Sequence, residues 1–268
     1  MKESYTAGPD LHVLPSALPI PDLGDQPVNA FLLRGDAPIL IDTGMPVDRD
    51  GFEAALWSLV DPCDLKWVVV THDDRDHTGS LTRILEAAPD ATVITNGISL
   101  TRLSEEFFIP RERVVTVNPG QRMKVGGREL GFHRPPTFDS PGTLAVFDHI
   151  DGTLFSSDSF GTVLPEAGQN IFDAPAKDFF EGFDILNRAI APWTSLVDTA
   201  KFARTVAGLA ALRPARLLSA HGPTAEGRAV EALFDAMGRI PTLPAWLPGA
   251  DLDLEAALEA HEATTTHP

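Results

Sequence analysis

The chain has 268 residues and a mass of 28.8 kDa, with 38 acidic against 21 basic side chains and a formal charge of −17. That length is enough for one large domain or two small ones and can bury a real core, and a hydrophobic share of 43% is that of a folded globular chain. The negative charge argues against a nucleic-acid or anionic-membrane partner, and no run of about 18 apolar residues reads as a membrane span.

In chain order, LHVLP and NAFLLRGDAPILIDTG read as strands, the second folded back on itself at the RGDAP turn. GFEAALWSL has helical spacing. Cys63 follows in VDPCDLKW and is expected to be a small, partly buried residue. As the single cysteine, it forms neither an internal disulfide nor a thiolate cluster, and a reducing, cytoplasmic setting is expected. KWVVV is a continuous β-branched run, the mark of a strand buried on both faces. SLTRILEAA and ISLTRLSEEF read as helices around the strand ATVIT. The middle is richer in short strands: RVVTV, QRMKV, REL-GFH, GTLAVFD and GTLFSSD. Helices return with KDFFEGFDILNRAI and KFARTVAGLAALR, then a buried strand, ARLLSA, and the helix GRAVEALFDAMGRI. The expected architecture is α/β, two mixed sheets sandwiched between helix layers. Residues 1–250 are expected to form one domain and 251–268 an acidic tail with a short peripheral helix.

The stretch Thr71-His72-Asp73-Asp74-Arg75-Asp76-His77-Thr78-Gly79 holds two His and three Asp between a buried strand and a helix. Strand ends are where open sheets place their sites. Solvated charge accounts for the aspartates but not for two histidines beside a strand that must be buried. Imidazole with carboxylate is a ligand set for Zn, Fe and Mn. Asp158 in LFSSDSFG and His221 in LLSAHGP also stand at the ends of apolar strands, so the three segments are expected to converge. Asp73 and Arg75 point away from the ligand face if the loop alternates. Thr71 and Thr78 are expected to tie the loop, and Gly79 to allow close helix approach. Phe155, Phe160, Phe179, Phe180 and Trp193 are expected in the core rather than around a ligand. His149 and His261 have no partner in the pattern and are expected to be structural or exposed.

These motifs resemble the metallo-β-lactamase superfamily, whose signature is Thr-His-x-His-x-Asp-His after a strand, followed by a His, a bridging Asp and a last His. Here the third position carries Asp74. The di-iron domain of the flavodiiron proteins, which has an acid there, is the nearer match. The likeness runs from about Asn29 to about Pro223. It implies an αββα sandwich and two metal ions, with His72 and Asp74 at the first and Asp76, His77 and His221 at the second. Asp158 is the implied bridge, and Asp42 in LIDTG the residue that orients the loop. Aligning Pro136-Thr137-Phe138-Asp139-Ser140-Pro141 on the family's Pro-x-x-His-x-Pro loop puts Asp139 where the remaining His ligand stands, with His133 as a substitute.

An oxygen-rich first site favours iron, with manganese and zinc as alternatives. The four carboxylates bring a charge of about −4, which two divalent ions cancel. The leading expectation is a di-iron protein, flavodiiron-like, that binds or reduces O2, with NO or peroxide as further substrates. It has no bound flavin or flavodoxin domain of its own, takes electrons from a separate donor protein, and pairs as a homodimer. The second is a dinuclear hydrolase of a thioester, lactone or phosphodiester, in which Asp76 orients the attacking hydroxide and Asp158 holds both ions. The third is a binding module whose Asp substitutions have weakened metal binding.

Overall fold

The computed structural model describes residues 1–246; the expected tail helix and His261 lie outside the described residues. The first sheet opens with β1 (Tyr5–Gly8), β2 (Leu11–Ile20), β3 (Gly24–Leu33) and β4 (Ile39–Ile41), all antiparallel neighbours. Helix α1 (Arg49–Trp57) then carries the chain to β5 (Trp67–Val69), which lies parallel to β4. After the short α2 (Arg75–Thr78) and α3 (Leu81–Ala87) come β6 (Thr92–Thr95), α4 (Gly97–Leu103) and β7 (Val114–Thr116), which extend the parallel half. The second sheet runs β8 (Arg122–Val125), β9 (Arg128–His133), β10 (Ala145–Asp148) and β11 (Thr153–Phe155), again antiparallel. Helices α5 (Ala176–Ala189) and α6 (Thr199–Ala210) precede β12 (Arg216–Leu218), parallel to β11. The two-residue β13 (Ala225–Glu226) closes the sheet, and α7 (Arg228–Arg239) covers it.

Alternation along the strands sorts the apolar side chains into three layers. Phe31, Leu33, Ile39, Ile41, Val69 and Ile94 face Leu130, Phe132, Val146, Phe155 and Leu218 between the sheets. Ala30, Leu32, Leu40, Val68 and Val93 face outward onto Phe52, Leu56, Ile84 and Leu85 of α1 and α3. Ala145, Phe147, Leu154 and Leu217 do the same against α5, α6 and α7. The result is the expected αββα sandwich of two mixed sheets. KWVVV is buried on both faces, as its lack of alternation implies. Phe155, Phe160 and Phe179 belong to the core. No helix among the described residues is long and apolar enough to cross a membrane.

Two differences from the sequence reading have simple causes. Helix α4 stops at Leu103, because Glu105 and Glu106 close their amides on the Arg102 and Leu103 carbonyls in tighter turns. Cys63 is exposed, since it sits in the turn 61–64, capped by Asp61, before the chain enters β5.

Gly79 is where α2 and α3 approach the loop after β4. A Cβ there would lie 2.3 Å from the Met45 carbonyl carbon and 2.4 Å from the Gly44 oxygen, both backbone atoms. Gly79→Ala is therefore expected to destabilise the fold by about 1–3 kcal/mol through overpacking. Denaturant unfolding measures this, and an unchanged midpoint would contradict the packing described.

Candidate metal centre

Parallel pairing sets the site. Strands β11 and β12 point the same way, so Asp158 and His221 leave the second sheet at one end. Strands β4 and β5 do likewise in the first sheet, so Asp42 and His72 leave together. The two ends are tied across the sandwich. The Asn29 side chain on β3 donates to the carbonyls of Ser219 and Gly222 at 3.2 and 2.8 Å. The Leu144 amide donates to the Thr71 carbonyl at 2.9 Å. Two residues here, Asp42 (φ 60°) and Ser157 (φ 56°), hold the left-handed backbone conformation. That conformation is costly for residues with a Cβ, and such strain gathers at functional sites.

The expected site residues come together. His72 Nε2 lies 3.3 Å from Asp158 Oδ2, 3.7 Å from Asp139 Oδ1 and 3.8 Å from Asp74 Oδ2. His77 Nε2 lies 2.9 Å from Asp158 Oδ1 and 3.6 Å from Asp76 Oδ2. His221 Nε2 lies 3.3 Å from the same Asp158 oxygen and 3.4 Å from the same Asp76 oxygen. The donors form two separate groups, His72–Asp74–Asp139 and Asp76–His77–His221, joined on the floor by a third, His72, His77 and Asp158, that shares one histidine with each. The three imidazoles and Asp158 are buried. Asp76, Asp74 and Asp139 form a more open rim, with side chains 27–44% exposed.

Each imidazole is turned by what holds its other nitrogen. His77 Nδ1 is 2.8 Å from Asp42 Oδ2, and His221 Nδ1 is 2.8 Å from the Pro27 carbonyl. Both acceptors fix a ring proton on Nδ1 and leave Nε2 facing the cluster. His72 Nδ1 meets the Ser157 hydroxyl at 3.2 Å. Asp42 also accepts from the Thr71 amide and hydroxyl, both at 2.8 Å. It thus orients the loop, as its place in LIDTG implies.

Electrostatics match this crowding. Burial alone would raise the Asp158 carboxyl, but His72 and His77 outweigh it and hold Asp158 well below the usual range. Burial lowers His77, yet Asp76, Asp42 and Asp158 push it well above its ordinary value. Burial, then Asp158 and Asp74, push Asp139 up to about 7. Carboxylates packed this closely resist carrying their charge together, and a cation between them relieves that.

The donor set fits such cations. His72 Nε2, His77 Nε2 and Asp158 Oδ1 are buried and make no hydrogen bond. The 2.9 Å contact of His77 with Asp158 therefore lacks hydrogen-bond geometry: these atoms aim at common points rather than at each other. Buried polar atoms without partners are costly in a native fold unless something else satisfies them. His72, Asp74, Asp139 and Asp158 can face one ion, and Asp76, His77, His221 and Asp158 the other. The first set is mostly oxygen, which suits Fe or Mn better than Zn.

The outer residues divide as their positions dictate. Asp73 turns away from the donors, accepting from Ser99 and Ser140 at 2.9 and 3.1 Å and from Arg102 at 3.1 Å. Ser140 follows Asp139, so Asp73 clamps the Asp139 loop to the His72 loop, a role the sequence did not reveal. Arg75 pairs with Glu106 at 2.8 Å, and the Thr78 hydroxyl donates to the Asp74 carbonyl at 2.9 Å. Trp193 lies outside the core, packing at a tilt against the Phe138 ring and donating to its carbonyl at 3.0 Å, which steadies Asp139. His133 does not substitute for Asp139: it stands at the end of β9, beside His149. Asp73→Ala is expected to weaken the His72–Asp74–Asp139 site about 10–100-fold while sparing the other. Stepwise metal titration by calorimetry distinguishes the two, and equal weakening of both steps would contradict the clamp.

The sequence pattern of the Metallo-beta-lactamase superfamily matches residues 23–206, and the chain belongs to that superfamily. Its curated relatives include several diflavin flavoproteins and a flavorubredoxin. Diflavin flavoprotein A 1 of Synechocystis is 31% identical over 134 residues, 50% of this chain and 23% of that protein. The anaerobic nitric oxide reductase flavorubredoxin of Salmonella arizonae is 28% identical over 134 residues, 50% of this chain and 28% of that one. The chain thus spans well under half the length of these relatives. Among solved structures, the rubredoxin oxygen:oxidoreductase of Desulfovibrio gigas superposes with a TM-score of 0.78 at 18% identity, covering 88% of this chain and 61% of that one.

Proposed function

We propose that the chain holds two iron ions and uses them to bind and reduce O2, with NO or peroxide as related substrates. The observation that carries this reading is the pair of donor groups meeting at Asp158, one of them mostly oxygen. When bound, a ferrous pair supplies electrons and open coordination positions for a diatomic molecule. The chain's own residues do the rest. Asp158 spans the groups and contributes charge to both. His77 and His221 keep their ring protons on Nδ1, donating them to Asp42 and to the Pro27 carbonyl, so both Nε2 atoms are available for ligation. The buried floor of imidazoles keeps bulk water from one side. The half-exposed rim of Asp74, Asp76 and Asp139 leaves the other side accessible to a small molecule. Electrons come from a separate donor protein, in keeping with the flavoprotein kinship of the relatives. Residues 1–250 act as one domain and pair as a homodimer.

The test is direct. Iron-loaded protein, reduced without air and then mixed with O2, is expected to oxidise its iron and consume O2 in a fixed ratio to it. If iron-loaded protein leaves O2 untouched while zinc-loaded protein turns over a thioester, lactone or phosphodiester, the hydrolase reading replaces this one.

A further inference from the structure

A second pair of histidines stands apart from the donors described above. Gly131 on β9 is opposite Phe147 on β10, and His133 is opposite Ala145 on the same pair of strands. Side chains two residues apart on a strand share a face, so Gly131 and His133 look out on the side where Phe147 packs. His149, just past β10, donates its amide to the Glu129 carbonyl on β9 and sets its ring edge-on against Phe147. Both histidines therefore come near the face of Gly131. A Cβ built on Gly131 would lie 2.9 Å from His149 Nε2 and 3.0 Å from His133 Nε2. The two nitrogens converge on the space that this glycine leaves open. Both are buried, and neither makes a hydrogen bond to any described group.

Two buried nitrogens without partners, aimed at one small space, require something between them. Burial lowers His133, with His149 and then Arg122 adding to the effect. The ring is thereby kept neutral, the form that ligates metals. Arg122, opposite Gly131 on β8, is paired with Glu129 at 3.4 Å, which blunts its repulsion of a cation. The donors are imidazole alone, and imidazole suits copper, nickel and zinc ions.

We propose that His133 and His149 form a separate mononuclear site for a divalent transition metal of the imidazole-preferring kind, with both Nε2 atoms as protein ligands and water completing the coordination. Gly131 is the residue that makes room for the ion. The site lies on the outer face of the second sheet and does not depend on the reading of the central cluster.

Zinc uptake by the full-length protein tests it, measured by equilibrium dialysis and elemental analysis, with circular dichroism as the check on folding. In an Asp158→Ala background, which disables the central cluster, a single zinc ion per chain is expected to remain bound. Adding His149→Asn is expected to remove it. Adding Gly131→Ala instead, with both histidines kept, is expected to weaken it at least tenfold, because the new methyl group fills the space. Uptake unaffected by either substitution in folded protein would overturn the proposal. So would an Asp158→Ala protein that binds no zinc, since a water molecule would then suffice to bridge the rings.

Discussion

Asp158→Ala is expected to eliminate tight binding of both ions at the central cluster, taking metal content from about two equivalents to none that survives gel filtration at those donors. Asp158 lies within 2.9–3.3 Å of the Nε2 atoms of His72, His77 and His221. It is also the only carboxylate in the joining group of the floor, and it is 2% exposed. An alanine there removes a donor from each ion and the negative charge between them, and solvent cannot replace either in so enclosed a position. His72→Ala, by contrast, removes a donor from one group and is expected to leave an ion at Asp76, His77 and His221. Elemental analysis of the two variants separates a shared bridge from two independent sites. Equal loss of one ion in both would count against the bridge.

Asp42→Ala is the second large effect, and it should act without touching a metal. Asp42 is 1% exposed and accepts from the Thr71 amide, the Thr71 hydroxyl and His77 Nδ1. Removing it strands buried donors, which is expected to cost about 3–5 kcal/mol in denaturant unfolding of the metal-free protein. The His77 site should lose metal affinity about 10–100-fold, as when partners behind the ligands are removed elsewhere. Asp42→Asn refines the argument. Its shape is the same, but the amide can present an N–H to Nδ1 and drive the ring proton to Nε2, where it blocks ligation. The Asn protein should therefore recover much of the stability and still bind metal poorly. Affinity recovering in step with stability would show that Asp42 acts on the fold alone.

The sequence carried much of this, for identifiable reasons. KWVVV, ATVIT and ARLLSA are short apolar runs, and each became a buried strand; the ends of the first and the last deliver His72 and His221 to the cluster. His72, Asp74, Asp76 and His77 were legible because two histidines beside a buried strand are out of place as surface charge. Asp139 was legible only through resemblance, since no local pattern marks PTFDSP as a ligand loop. The supporting atoms were not legible at all. The Pro27 carbonyl that orients His221 is a backbone atom, and every residue offers one. Asn29 on β3 reads as a polar residue opening a strand, yet it fastens the His221 loop from across the sandwich. Asp73 was expected to turn from the ligand face and does. Its partners Ser99, Arg102 and Ser140 lie too far along the chain for spacing to reveal the clamp. His133 and His149 looked unrelated because only the β9–β10 pairing brings them over Gly131.

We propose that one buried carboxylate, Asp158, joins two metal positions built from seven side chains. Anomalous diffraction at the iron edge, on crystals of protein loaded with iron without air, tests it most directly. Two iron peaks flanking Asp158 are predicted, one against His72, Asp74 and Asp139 and the other against Asp76, His77 and His221. Iron found away from Asp158, or absent from both groups at full loading, would contradict the account.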